Sequence, residues 1–188
     1  MGNSDGLSLV ELLVVVLLIS IMIGIVIPVI QPQKFQMDGA IVQVASTMTA
    51  QQKNSIFRQH SVVVAIDSAD GRLRVHHDAD DDGLIDPGET FNIVELEDGV
   101  VFGRGGAPAR PLGSTMHTFL DQQDGMPALT FRRSGSASAE SILYLTSSRA
   151  AAPGGSVYEH DTRALEIERA TGRVRCYSYA SGAWLQTC

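Results

Sequence analysis

The stretch from Leu7 to Ile30, LSLVELLVVVLLISIMIGIVIPVI, constrains this chain more than any other, because no other segment is long and apolar enough to leave water. From Leu12 to Ile30 only Ser20, Gly24 and Pro28 interrupt the apolar residues. At 1.5 Å rise per residue, about 20 such residues cover the ~30 Å hydrocarbon core of a bilayer. Hydrophobic periodicity is absent, as expected when lipid or other apolar helices meet every face. The stretch is therefore expected to form one membrane helix. A secretory signal peptide fits less well: the run is long for its apolar region, and no small-residue cleavage site follows. Glu11 is the anomaly. A carboxylate costs roughly 2 to 3 kcal/mol or more at a bilayer centre and is kept there with a partner, although in a first helical turn the helix dipole also favours it.

The other 164 of the 188 residues lie outside this run, enough for one compact domain with a real core and crowded for two. The net charge of −7 argues against general nucleic-acid binding and leaves room for a local basic patch. Cys176 and Cys188 are the two cysteines. In an exported domain they would form one disulfide closing a short loop; in the cytosol they would be free thiols.

After Pro28 and Pro32, residues 33–60 regain helical character. Met37, Ile41, Val44, Met48 and Ile56 recur three or four apart, with Gln52 filling the gap. This stripe predicts an amphipathic helix whose apolar face packs on the following domain, with Gln36, Gln43, Gln51 and Lys53 turned to solvent or neighbouring subunits. From Ser61 the period changes to that of strands. Expected strands are 61–67 and 71–77, joined by a turn at 68–70, then 90–96, 100–102, 127–133, 141–146, 163–168, 173–179 and 183–187, in a meander. Residues 104–114, rich in Gly, Pro and Arg, read as an exposed, mobile loop without core residues. One long helix followed by antiparallel strands is an α+β pattern.

Three groups of residues invite a chemical reading. Asp78 to Glu89, DADDDGLIDPGE, matches the twelve-residue calcium loop D-x-D-x-D-G-x-I-x-x-x-E. Asp78, Asp80 and Asp82 would supply carboxylate oxygens, Gly83 the sharp turn, Leu84 a backbone carbonyl, Asp86 a water-mediated ligand and Glu89 a bidentate carboxylate to Ca2+. Strands flank it, so it would be a calcium loop within a hairpin; otherwise it is a solvated acidic turn. His76 and His77, adjacent on a strand, point to opposite faces and do not share an ion. At the last hairpin Arg173, Arg175, Tyr177 and Tyr179 share one face, opposite Val174 and Cys176, a row suited to holding phosphates and stacking bases. With the turn at 169–172, however, Glu168 lies opposite Arg173 and Glu166 opposite Arg175, and ion pairs would neutralise the row. No catalytic set or phosphate-binding Gly loop is found, and an enzyme acting on a small-molecule substrate is not expected.

The segment Gly6-Leu7-Ser8-Leu9-Val10-Glu11, followed at once by the apolar run, resembles the processing signal of type IV prepilins and pseudopilins. By that resemblance a prepilin peptidase cuts after Gly6, removes residues 1–6 as a leader and methylates Leu7. Glu11 then pairs with the terminal amine of a neighbouring subunit, and Pro28 matches the helix-loosening proline of the same span. The leader departs from the pattern in having no Lys or Arg; the nearest cation beyond the span is Lys34, so the positive-inside rule alone favours the opposite orientation.

Leu129-Thr130-Phe131-Arg132-Arg133-Ser134-Gly135 and Arg163 to Ile167 running into Thr171 to Arg175 are similar to the GspH/FimT family of minor pilins and pseudopilins. The resemblance implies residues 7–30 in the bacterial inner membrane, an amphipathic half-helix at 31–60, and a β-rich domain at 61–188 in the periplasm or on an extracellular filament. Its partners would be other pilin subunits, the peptidase and inner-membrane lipid, in type II secretion or type IV pilus assembly. In DNA-uptake members a Gly-Arg-x-Arg element near the C-terminus is associated with DNA, and Gly172 to Arg175 matches it.

Overall fold

The computed structural model describes residues 8–26, 32–112 and 116–188. They fall into two compact units, Met1–Pro32 and Gln33–Cys188. In the first unit, helix α1 runs Leu9–Val26. Its large apolar side chains from Leu9 to Met22 are all exposed, from 48% at Val15 to 81% at Leu9. Among the described residues no helix is long and apolar enough to cross a membrane. Gly6, Leu7 and Pro28 lie outside the described residues. Glu11 is exposed on the first turn of α1, its N–H near the Ser8 hydroxyl at 3.4 Å.

Helix α2 runs Pro32–Arg58 and belongs to the second unit from Gln33 onward. It ends where Gln59 takes a positive φ of 59°, the left-handed residue that commonly stops a helix. Met37, Ala40, Ile41, Val44, Ala45 and Met48 are buried along one face. Ile56, expected in the same stripe, is 42% exposed. Here the helix has passed the core, and Gln52 and Ser55 bond loop carbonyls instead, those of Thr171 and Arg132 at 3.1 and 3.0 Å. Gln36 and Gln43 correct the expectation too: both donate to carbonyls of the domain, those of Asp98 and Glu95.

Two antiparallel five-stranded sheets replace the single expected meander. The first has the order β3-β2-β1-β6-β5, from β1 Ser61–Asp67, β2 Arg72–Asp78, β3 Thr90–Glu95, β5 Asp121–Gln123 and β6 Met126–Phe131. The second has the order β10-β9-β8-β7-β4, from β4 Val100–Phe102, β7 Ser141–Ser147, β8 Arg163–Ile167, β9 Val174–Ala180 and β10 Ala183–Gln186. Local hairpins make β1 to β3 and β7 to β10 meanders. The returns of β6 to β1 and of β4 to β7 are long-range pairings that no local period announces.

One core joins these layers. Alternate residues Val62, Val64 and Ile66 of β1, Leu129 and Phe131 of β6, Leu143 and Leu145 of β7, and Leu165 and Ile167 of β8 pack with the α2 stripe. Burying apolar side chains at about 25 cal/mol per Å² is the main stabilising contribution here. A charged residue of β8 is buried beside them. Arg163 is 2% exposed and donates to Asp38 of α2 at 2.8 Å and to the carbonyls of His160 and Thr162.

Between β7 and β8 the sequence reading missed a short helix α3, Ser148–Ala151, and a 3₁₀ helix, Gly155–Asp161. Asp161, 1% exposed, accepts from Ser147 at 2.6 Å and from Arg149 at 2.7 and 3.0 Å. Burial alone pushes its carboxyl up, but these charge-assisted bonds outweigh that and hold it below the ordinary value. Cys176 and Cys188 form a disulfide that ties Cys188 to β9, the first of the two expected arrangements.

Candidate functional site

The acidic loop starts inside β2. Asp78 is the last strand residue and is buried, whereas Asp80 and Asp82 are exposed. One oxygen from each of the three comes within 4.8 Å of the others. The loop folds through its own carboxylates. Asp78 accepts from the N–H groups of Asp82 and Gly83 at 3.1 and 2.9 Å, and Asp82 from that of Leu84 at 2.7 Å. Burial raises the Asp78 carboxyl above its ordinary value against these bonds. Leu84 is 64% exposed, and Asp86 is exposed with its N–H turned to Glu89.

Glu89 sits where a twelfth-position ligand should and is occupied otherwise. Its oxygens accept from the N–H of Asp86 at 2.9 Å, from the N–H of Ala79 at 2.7 Å and from buried His76 at 2.6 Å, which pulls its carboxyl down to about 2. The three Asp carboxylates thus lie together on one side, and Glu89 closes the loop on itself. His76 and His77 do face opposite ways. His76 meets Glu89 and Gln123, and His77 meets His60 at 3.3 Å.

At the last hairpin the register is the expected one: Glu166 lies opposite Arg175, Leu165 opposite Cys176 and Ile167 opposite Val174. The ion pairs are different. Glu166 is taken by Arg110, Nε to Oε1 at 2.7 Å, and Arg175 reaches Glu168 only at 3.9 Å. Among the described residues Arg173 makes no side-chain ion pair. Arg110 also lies 3.5 Å over the Tyr177 ring and 5.9 Å from Trp184, while its N–H donates to the Tyr144 hydroxyl at 2.8 Å. Tyr179 is buried, 5.2 Å from Trp184. Both tyrosine faces of the proposed stacking row are therefore occupied from within, and Arg173 and Arg175 are what remains accessible.

The cover comes from residues 104–112, and it overturns the reading of that segment as an exposed loop without core residues. Ala107 is fully buried, Arg104 bonds the Ala107 carbonyl at 2.6 Å, and the Pro108 carbonyl accepts from the Trp184 indole at 3.1 Å. Sequence reasoning missed Arg110 because an arginine between prolines shows no period. The available signal was Trp184 itself, a large ring on an edge strand that needs an apolar neighbour and a hydrogen-bond acceptor.

The loops that follow β6 and β8 meet at backbone level. The Ala137 N–H donates to the Arg169 carbonyl at 2.9 Å. A Cβ placed on Gly172 would lie 2.2 Å from the Gly135 carbonyl oxygen, and one on Gly135 would lie 2.6 Å from Ile56 of α2. Both glycines have positive φ, 82° and 66° for Gly135 and Gly172. These contacts position the two loops against the helix end.

No family model matches this sequence, and no curated protein matches it. Among solved structures, the chain is similar to that of the minor pseudopilin EpsH from the Type 2 Secretion System of Vibrio cholerae, with 14% identity, a TM-score of 0.48 and coverage of 81% of this chain and 100% of that one.

Proposed function

We propose that this chain is a minor pilin or pseudopilin, cut after Gly6, held in the bacterial inner membrane by residues 7–30, and working by assembly in type II secretion or a type IV pilus. The observation that carries the reading is α1. It is an apolar helix whose large side chains are exposed from Leu9 to Met22, it begins within the Gly6-to-Glu11 segment that resembles a prepilin processing signal, and so large an apolar surface needs lipid or other subunits. Coexpression with a prepilin peptidase followed by mass spectrometry tests it. The expected product lacks six residues and begins with N-methyl-Leu7, and Gly6→Val blocks the cut. An intact N-terminus, or a cut beyond Ile30, removes the proposal. Glu11→Leu should be processed yet assemble poorly.

DNA uptake is the competing role for the same subunit, and the accessible Arg173 and Arg175 are what favours it. A gel shift of the full chain in non-ionic detergent at about 50 mM salt, where phosphate binding is strongest, decides it. No shift at tens of micromolar protein would leave secretion or pilus assembly.

Calcium binding by the acidic loop is a separate proposal, favoured by the convergence of Asp78, Asp80 and Asp82. Millimolar calcium should raise the melting temperature relative to a chelator, and Asp80→Ala should abolish that rise, because a ligand of the folded state adds stability. Identical melting curves would leave an acidic turn.

A further inference from the structure

The outer face of the first sheet carries an open polar cleft of about 450 Å³ that filament assembly does not account for and that the acidic loop enters only through Asp81. Thr130 of β6 and Ser61 at the start of β1 lie in it. Asp121 enters from β5, and Arg132 and Ser138 from the chain that follows β6. Asp121 is fixed through one oxygen, Oδ2, which accepts the Thr130 N–H at 3.1 Å and the Thr130 hydroxyl at 2.7 Å. Its Oδ1 takes no hydrogen bond from any described residue. The other carboxylate of the cleft, Asp81, is used up by the Ser61 N–H at 2.9 Å and by Arg133.

The donors are less committed. Ser138 Oγ accepts from the Thr130 N–H at 3.2 Å, which leaves its own proton to give. Arg132 is exposed, and its guanidinium bonds no described residue, so its N–H fork stands ready for a planar or tetrahedral oxyanion. The cleft therefore offers one unpaired cationic fork, one hydroxyl donor and one anchored carboxylate oxygen, in a space within the usual 300–1,000 Å³ range of small-ligand sites. A bare oxyanion would satisfy Arg132 and leave Asp121 without a partner. A neutral sugar would do the reverse. A ligand carrying both an oxyanion and ring hydroxyls satisfies the whole set.

We propose that this cleft binds an acidic saccharide, its carboxylate or phosphate taken by Arg132 and a ring hydroxyl donated to Asp121. The test is an NMR titration of the ¹⁵N-labelled full chain in non-ionic detergent, at constant ionic strength, with sodium glucuronate, glucose 6-phosphate, glucose and inorganic phosphate. The two acidic sugars should give saturable shifts at the amides of Thr130, Arg132 and Ser138. Glucose and inorganic phosphate should each bind roughly tenfold more weakly, as loss of one charge-assisted contact implies. Arg132→Gln should weaken the acidic sugars by about the same factor, Arg132→Lys should recover part of it, and Arg169→Gln should change nothing. Because the Arg132 side chain bonds no described residue, the strand amides should keep their positions in these variants. Absence of saturation with both acidic sugars, unchanged affinity in Arg132→Gln, or equal binding of glucose or inorganic phosphate would each overturn the proposal.

Discussion

The two sheets of the β domain share an inner face and differ on their outer ones. Inward, each contributes alternating Val, Leu, Ile and Phe to one core with α2. Outward, the first sheet carries a small patch of Val63, Ala65 and Ala128 beside an open polar cleft. The second carries Ile142, Tyr144 and Ala164, with Tyr177 and Trp184 under the 104–112 segment. An inner face is set by side-chain alternation within each strand. An outer face depends on what a distant segment brings to it, so only one of the two is covered, and the open one is where a ligand has access.

The comparison breaks first at the shared core. Phe131 of the first sheet is fully buried, so Phe131→Ala should cost about 3–5 kcal/mol. If the core is common, urea unfolding followed by probes in both sheets should stay a single transition at lower midpoint. Two separated transitions would mean that the sheets are independent.

The next effect belongs to the second sheet alone. Asp161 is held ionised beside Arg149, Ser147 and His160. Its lowered carboxyl adds stability that is present above the ordinary value of 3.8 and lost as pH falls through the lower folded value. Asp161→Asn should cost about 1–2 kcal/mol at neutral pH and flatten the acid limb of a stability-against-pH curve. An unchanged acid limb would mean that other carboxylates govern acid unfolding.

Smaller still is the cover of the second sheet. Arg110→Ala removes a half-buried ion pair and a ring contact, and should cost about 1 kcal/mol while exposing residues 104–112 to limited proteolysis. Arg175→Gln, whose nearest carboxylate is 3.9 Å away on Glu168, should stay within about 0.5 kcal/mol. Equal losses in the two variants would restore the cross-strand pairing read from the sequence.

What the sequence made legible follows the same division. The run Val62-Val63-Val64 announced β1, and matching apolar positions across the 169–172 turn gave the β8–β9 register, because both signals are local. Glu166 was correctly placed opposite Arg175 and wrongly paired with it, since Arg110, 56 residues away in the chain, gets there first. The spacing of Asp78 to Glu89 showed a possible ligand set but not that His76 and two loop amides compete for Glu89. Arg163 was read as an ordinary strand residue because its partner Asp38 lies 125 positions earlier.

The near-contact of Gly135 and Gly172 bears on how such a chain diverges. A side chain at Gly172 would intrude on the Gly135 carbonyl, and one at Gly135 on Ile56 and Gln52 of α2. Relatives with this loop arrangement should therefore keep glycine at both positions, a change at Gly135 being tolerated only with a smaller residue at Ile56 or Gln52. Where overall identity has decayed too far to align two sequences, these two glycines offer a landmark for setting the helix end and the two loops in register.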